Sequence, residues 1–111
     1  MSLTSDIIRG HTEAIILAQL LDHDSYGYEI NKAIRDRTDG AYEAKEGTLY
    51  TAFRRLEQAG YIRSYWGDET SGARRRYYSI TDEGRAVFEE RKAEWQRVRT
   101  ILSALIEGEQ A

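Results

Sequence analysis

EGTLYTAFRRLEQAG, residues 46–60, runs straight into YIRSYW, residues 61–66, and then, past a small polar loop, into RRRYYSI, residues 74–80. The first segment carries Leu49, Phe53 and Leu56 at i, i+4 and i+7, which puts them on one buried stripe of a helix. Thr48, Tyr50, Thr51, Arg54 and Arg55 fall on its other sides and stay available. Gly60 supplies a stop, because glycine accepts the left-handed conformation that a helix end often needs. The two segments that follow are rich in aromatics and alternate, as hairpin strands do. Tyr78 and Ile80 share a parity and should face the core, with Arg75, Tyr77 and Ser79 on the other face. A glycine-bounded loop, residues 67–73, joins the strands and should be mobile. Arg63 and the run Arg74-Arg75-Arg76 edge it. A helix with free threonines, tyrosine and arginines, followed by an arginine-edged hairpin, is what a winged helix presents to duplex DNA.

Upstream, residues 6–21 read as a first helix. Its isoleucines and leucines, from Ile7 and Ile8 through Ile15, Ile16, Leu17, Leu20 and Leu21, are too many for one narrow stripe. Such a helix is buried on two sides, either at the centre of the core or against a second subunit. Residues 22–25 form a polar break in which Asp24 or Ser25 can cap the next helix. That helix runs from Tyr26 to about Thr38, buries Ile30, Ala33 and Ile34 with Tyr26, and ends at Asp39-Gly40. Its short link to the helix of residues 46–60 makes the pair a helix-turn-helix. Downstream, Thr81 caps one long helix that reaches about Glu107, with Asp82 and Glu83 at the positive end of its dipole. Along it Phe88, Trp95 and Leu102 lie seven apart. Val98 and Leu105 fill the intervening positions, and Arg91 interrupts the series once. A tail helix with its own seam has little left to pack on within 111 residues, so a partner helix from a second copy is the simplest complement.

The totals fit this picture and exclude others. The length suits one domain spanning residues 1–111, with a DNA-binding part at 6–80 and a dimerisation helix at 81–107. The fold class is mainly α with a small β-hairpin. The chain has no cysteine, hence no disulfide or thiolate chemistry. It has no apolar run of membrane-spanning length and no signal peptide, so a cytoplasmic location is expected. His11 and His23 are isolated, and no metal or other cofactor is expected. No serine–histidine–acid set and no phosphate-cradling glycine loop is visible, so an enzyme is not expected. The net charge is −3, but its distribution is uneven. Residues 45–80 carry seven basic and four acidic side chains, a net of +3; the rest carry nine and fifteen, a net of −6. A basic surface on an acidic body can hold phosphate while discouraging indiscriminate binding.

Four stretches in register, IIRGHTEAIILAQLL, YGYEI, GTLYTAFRRLEQAGYI and GARRRYYSITDEG, resemble the PadR family of bacterial transcriptional regulators over roughly residues 6–106. The single tail helix is similar to the compact branch of that family, which includes multidrug-sensing repressors. The resemblance implies a homodimeric winged-helix repressor on a near-palindromic operator. It places DNA contacts at Thr48, Tyr50, Thr51, Arg54 and the wing arginines Arg74 and Arg75, to which the charge reading adds Arg55. It also implies a site for planar aromatic compounds at the dimer centre, with Trp95 foremost, Phe88, Val98 and Leu102 nearby, and Ala14 opposite. The dimer interface would be Phe88, Trp95, Val98, Leu102 and Leu105. Arg91 and Arg99 put charge near that seam and would favour an anionic ligand. Two other readings stay open from the residues alone: a winged helix used as a protein-interaction module, and a small-molecule sensor without direct DNA binding.

Overall fold

The structure, a computed structural model, describes residues 2–69 and 72–108. Five helices and three short strands follow one another as α1 (Leu3–Arg9), α2 (Thr12–Gln19), β1 (Ser25–Tyr26), α3 (Gly27–Arg37), α4 (Glu46–Gln58), β2 (Ile62–Trp66), β3 (Arg76–Ile80) and α5 (Asp82–Glu107). The expected single first helix is two. Gly10 and His11 break it, and the Thr12 hydroxyl donates to the Arg9 carbonyl at 2.7 Å, taking an acceptor that a continuous helix would use otherwise. The break has a consequence for burial. Ile16, Leu17 and Leu20 are fully inside, whereas α1 buries nothing, and Leu3 and Ile7 are 75% and 55% exposed.

The core joins those α2 residues to Ile30 and Ile34 of α3, Leu49, Ala52, Phe53 and Leu56 of α4, and Ile62, Tyr78 and Ile80 of the sheet. The predicted stripes of α3 and α4 and the inward parity of Tyr78 and Ile80 are therefore observed. Phe53 stacks on Tyr78 with ring centroids 4.2 Å apart and planes 17° from parallel, which locks α4 to the hairpin.

The sheet has a strand the sequence did not announce. β1 pairs antiparallel with β3, so the order is β1-β3-β2. Ser25 is therefore a buried strand residue, and its hydroxyl donates to the Glu29 carboxylate. Asp24 accepts a hydrogen bond from Tyr65 across the sheet end. Neither caps α3, whose first position is preceded by Tyr26 with no side-chain cap. β2 pairs with β3 in the register Ile62↔Ile80 to Trp66↔Arg76. The tip of the predicted mobile loop, Thr70 and Ser71, lies outside the described residues.

Two devices set the angles between elements. Asn31 donates to the Ala44 carbonyl at 2.9 Å and accepts from its N–H at 3.1 Å, pinning the connector before α4 onto α3. At the other end Thr81 caps α5 as expected, accepting from the Gly84 N–H at 3.0 Å while donating to the Gly60 carbonyl at 2.7 Å. Gly84 is buried, and a Cβ there would sit 2.1 Å from the Tyr61 carbonyl oxygen. Only glycine lets α5 leave the head so close to the base of β2. Beyond Gly84, α5 buries no residue, and Trp95, Ile101, Leu102, Leu105 and Ile106 are 42–77% exposed. This helix, about 39 Å long at 1.5 Å per residue, gives the molecule its longest dimension of 57 Å. Among the described residues no helix is long and apolar enough to cross a membrane.

Candidate nucleic-acid interface

With Leu49, Ala52, Phe53 and Leu56 buried, the turn of 100° per residue leaves Gly47, Thr51, Arg54 and Gln58 as the outermost line of α4. Tyr50 and Glu57 flank that line on the side of the wing, and Thr48 and Arg55 on the side of α1 and α2. The two flanks open onto two concavities.

The wing-side cleft, about 830 Å³, lies between α4, the start of α3 and the hairpin. Tyr50, Arg54, Arg74, Arg75 and Arg76 all line it. Tyr50 is 44% exposed and meets Phe53 edge-on at 5.5 Å. Its hydroxyl lies where a Cβ on Gly27 would approach to 2.9 Å, so the glycine at the start of α3 makes room for it. Tyr50 is thus half a core-rim residue and half a surface one. Arg54 is exposed and makes no ion pair among the described residues, as is true of Arg63.

The three consecutive wing arginines have different anchors. Arg74 Nε donates to the Gly67 carbonyl at 2.8 Å. Arg75 lies over the Tyr26 ring at 4.9 Å and 3.5 Å from the Glu69 carboxylate, on the outer face with Tyr77 and Tyr65. Glu69 accepts the Arg75 backbone N–H, and that bond holds its carboxyl below the usual range, with Tyr77 and the Arg75 guanidinium helping. Tyr65, bonded to Asp24, has its phenol pushed up to about 12 chiefly by that hydrogen bond.

Arg76 shares the inward parity of Tyr78, but β3 begins past the edge of the core, so that face is open there. Arg76 is exposed, lies over Trp66 at 5.1 Å, donates to Ser64 Oγ at 2.7 Å and sits 4.0 Å from Glu57 of α4. It therefore ties wing to α4 on the same side as Arg54. The signal available in sequence was its place at the strand end, where alternation stops implying burial.

The second concavity, about 790 Å³, collects Thr48, Thr51 and Arg55 with Arg9, Lys45 and Arg91. Thus the structure divides the predicted contact residues between two flanks of one helix. Neither flank holds a cluster of histidines and carboxylates that could bind a metal, among the described residues.

Away from α4, an apolar groove of about 340 Å³ runs between α1, α2 and α5. It brings together Ala14, Phe88 and Trp95, and adds Ile7, Ile8, His11 and Ile15, which the sequence reading had not placed there. His11 meets the Trp95 indole edge-on at 5.4 Å. Val98 and Leu102 lie farther along α5 and do not line it.

Comparison with known proteins bears on this arrangement. Residues 16–90 match the model of the transcriptional regulator PadR-like family. A transcriptional regulator of Clostridium thermocellum is 49% identical and superposes with a TM-score of 0.85, over 92% of this chain and 99% of its own. A PadR family transcription regulator of Clostridium difficile is 37% identical with a TM-score of 0.74, over 87% and 99%. An uncharacterized protein of Lysinibacillus sphaericus is 46% identical over 104 residues, 94% of this chain and 95% of its own length.

Proposed function

Because this chain belongs to the PadR-like family of transcriptional regulators, we propose that it is a homodimeric repressor whose α4 enters the major groove of a near-palindromic operator. The observation that carries this reading is the wing-side cleft. Tyr50 and Arg54 of the helix and Arg74, Arg75 and Arg76 of the wing line one open concavity, on a segment whose net charge is +3 in a chain of net −3. Thr48, Tyr50, Thr51 and Arg54 reach base edges, where the major groove carries a distinguishable donor and acceptor pattern. The wing arginines and Arg55 hold phosphate and fix register.

Residues 6–80 form the DNA-binding part, and 81–107 the dimerisation helix. The exposed Trp95, Leu102 and Leu105, with half-buried Phe88 and Val98, pair with the same seam of a second copy. Two heads so joined meet half-sites about one helical turn apart. The groove beside Trp95 supports a second element of the proposal, binding of planar aromatic compounds near the dimer centre. Such a ligand shifts DNA binding only by its differential affinity for two spacings of the heads. The test is duplex binding across a salt series: affinity falls steeply with salt, and loss of the α4 and wing arginines flattens the dependence.

A further inference from the structure

The concavity on the far side of α4 from the wing has the chemistry of an oxyanion seat. Arg9, Lys45, Arg55 and Arg91 supply cations, and Thr48 and Thr51 supply hydroxyls. Lys45 makes no ion pair among the described residues, and Arg9 is partly neutralised by Asp6 at 2.8 Å. A duplex whose major groove holds α4 presents a phosphate strand on each side of the helix, because the groove is about as wide as a helix with its side chains. With α4 in the groove and the wing on one strand, a pocket on the opposite flank of α4 would face the other strand.

A single acid lines it among the described residues, Glu13 of α2. Its carboxylate lies 3.8 Å from Arg55 of α4 and 3.5 Å from Arg91 of α5. The Glu13 side chain is only 23% exposed, while that of Arg55 is 71% exposed. The anion is therefore partly desolvated, and the cation lies largely in solvent. Arg91 also lines the apolar groove beside Trp95, so one guanidinium borders both concavities.

We propose that this pocket seats a backbone phosphate of the operator duplex on Lys45, Arg9 and Arg55, and that Glu13 is a brake on it. The carboxylate competes with phosphate for Arg55, and Arg91 relieves the competition by holding Glu13 from the tail-helix side. A movement of α5 that draws Arg91 away leaves Glu13 to Arg55 alone and weakens DNA binding. This gives the groove beside Trp95 a route to α4 that passes through two ion pairs. The inference rests on the reading of α4 and the wing as the DNA-binding face.

Its test is binding of the full-length protein to a selected operator duplex and to an unrelated duplex across a salt series. Lys45→Ala flattens the log–log slope by roughly 0.9 for each phosphate no longer neutralised, and by twice that in a dimer. Glu13→Gln tightens binding to both duplexes by about three- to tenfold, the size expected for releasing one weak pair per subunit. Glu13→Asp, which keeps the charge, stays nearer the unmutated protein and guards against a folding defect in the glutamine variant. Arg91→Gln weakens binding more in the unmutated background than in the Glu13→Gln background, because part of its effect passes through Glu13; equal losses in the two backgrounds overturn the relay. An unchanged slope for Lys45→Ala overturns the seat. Unchanged or weaker binding by folded Glu13→Gln overturns the brake. Arg54→Ala in the same series separates the two levels of inference. If it loses affinity while Lys45→Ala does not, this pocket alone is refuted. If neither does, the DNA-binding face itself is wrong.

Discussion

Gly84→Ala isolates the joint between the head and the tail helix. Helix propensity alone makes the substitution favourable, by at most about 1 kcal/mol, since Gly84 is only the third residue of α5. The structure reverses the sign. An alanine Cβ would meet the Tyr61 carbonyl oxygen at 2.1 Å and Ile80 Cγ1 at 2.8 Å. Ordinary carbon–oxygen approach is roughly 3.3 Å, so backbone must retreat by about 1.2 Å. Tyr61 cannot retreat alone. Its carbonyl accepts the Thr81 N–H at 3.1 Å, and Thr81 is bonded in turn to Gly60 and Gly84. Overpacking against hydrogen-bonded backbone costs about 3 kcal/mol, enough to override propensity. For a domain of this size the net loss, about 2 kcal/mol, lowers Tm by about 8–16 °C. Thermal unfolding followed by far-ultraviolet circular dichroism, at matched protein concentration because dimerisation couples to stability, reads it directly. An alanine variant as stable as the parent, or more so, would refute the placement of α5 against β2. A folded variant should also lose operator affinity, because the joint sets where each head points.

Other expectations follow from exposed apolar and charged groups. Leu102→Asp puts a carboxylate on the proposed seam and should give monomer or unfolded chain in sedimentation; a compact folded monomer for the unmutated protein at micromolar concentration contradicts the dimer. Planar aromatic dyes should quench tryptophan emission through stacking on the indole, and Trp95→Ala, which leaves Trp66 in place, should abolish both most of the quench and the tight binding; equal binding by that variant puts the site elsewhere. Glu69 should titrate below the ordinary glutamate value near 4.3, because it accepts the Arg75 N–H. Its contribution to the wing turn is present above the unfolded-state value and is lost as pH falls through the depressed one. Carboxyl-carbon nuclear magnetic resonance and exchange of the Arg75 amide would follow it, and a midpoint at or above the ordinary value contradicts the hydrogen bond.

How far the residues alone revealed this molecule varied with the element. The α3, α4 and α5 helices were legible because each has a clear pattern, a cap or a glycine stop, and so was the hairpin, whose alternation put Tyr78 and Ile80 inside. The break at Gly10-His11 was not, because isoleucines on both sides of it read as one unbroken apolar helix. What divides them is a local competition for the Arg9 carbonyl. β1 escaped notice because two residues carry no period; it exists through its pairing with Tyr77 and Tyr78, a tertiary fact. At the candidate interface, periodicity found the free residues of α4 but not their division between two flanks, which depends on where the wing and α1 lie. Arg76 is exposed although it shares the parity of buried Tyr78, because alternation implies burial only as far as the core extends. Glu13 drew no attention as one helix charge among several, and its partners come from elements 42 and 78 residues away in sequence.

Whether α4 and the wing, rather than the acidic remainder, hold duplex DNA is decided by the affinity of the Arg54→Ala, Arg74→Ala, Arg75→Ala triple variant for an operator selected from genomic fragments, measured across a salt series. A DNA-binding face there requires a large loss of affinity and a log–log salt slope flattened by roughly 0.9 for each phosphate that goes unneutralised. Unchanged operator affinity in a variant still folded and dimeric would contradict it.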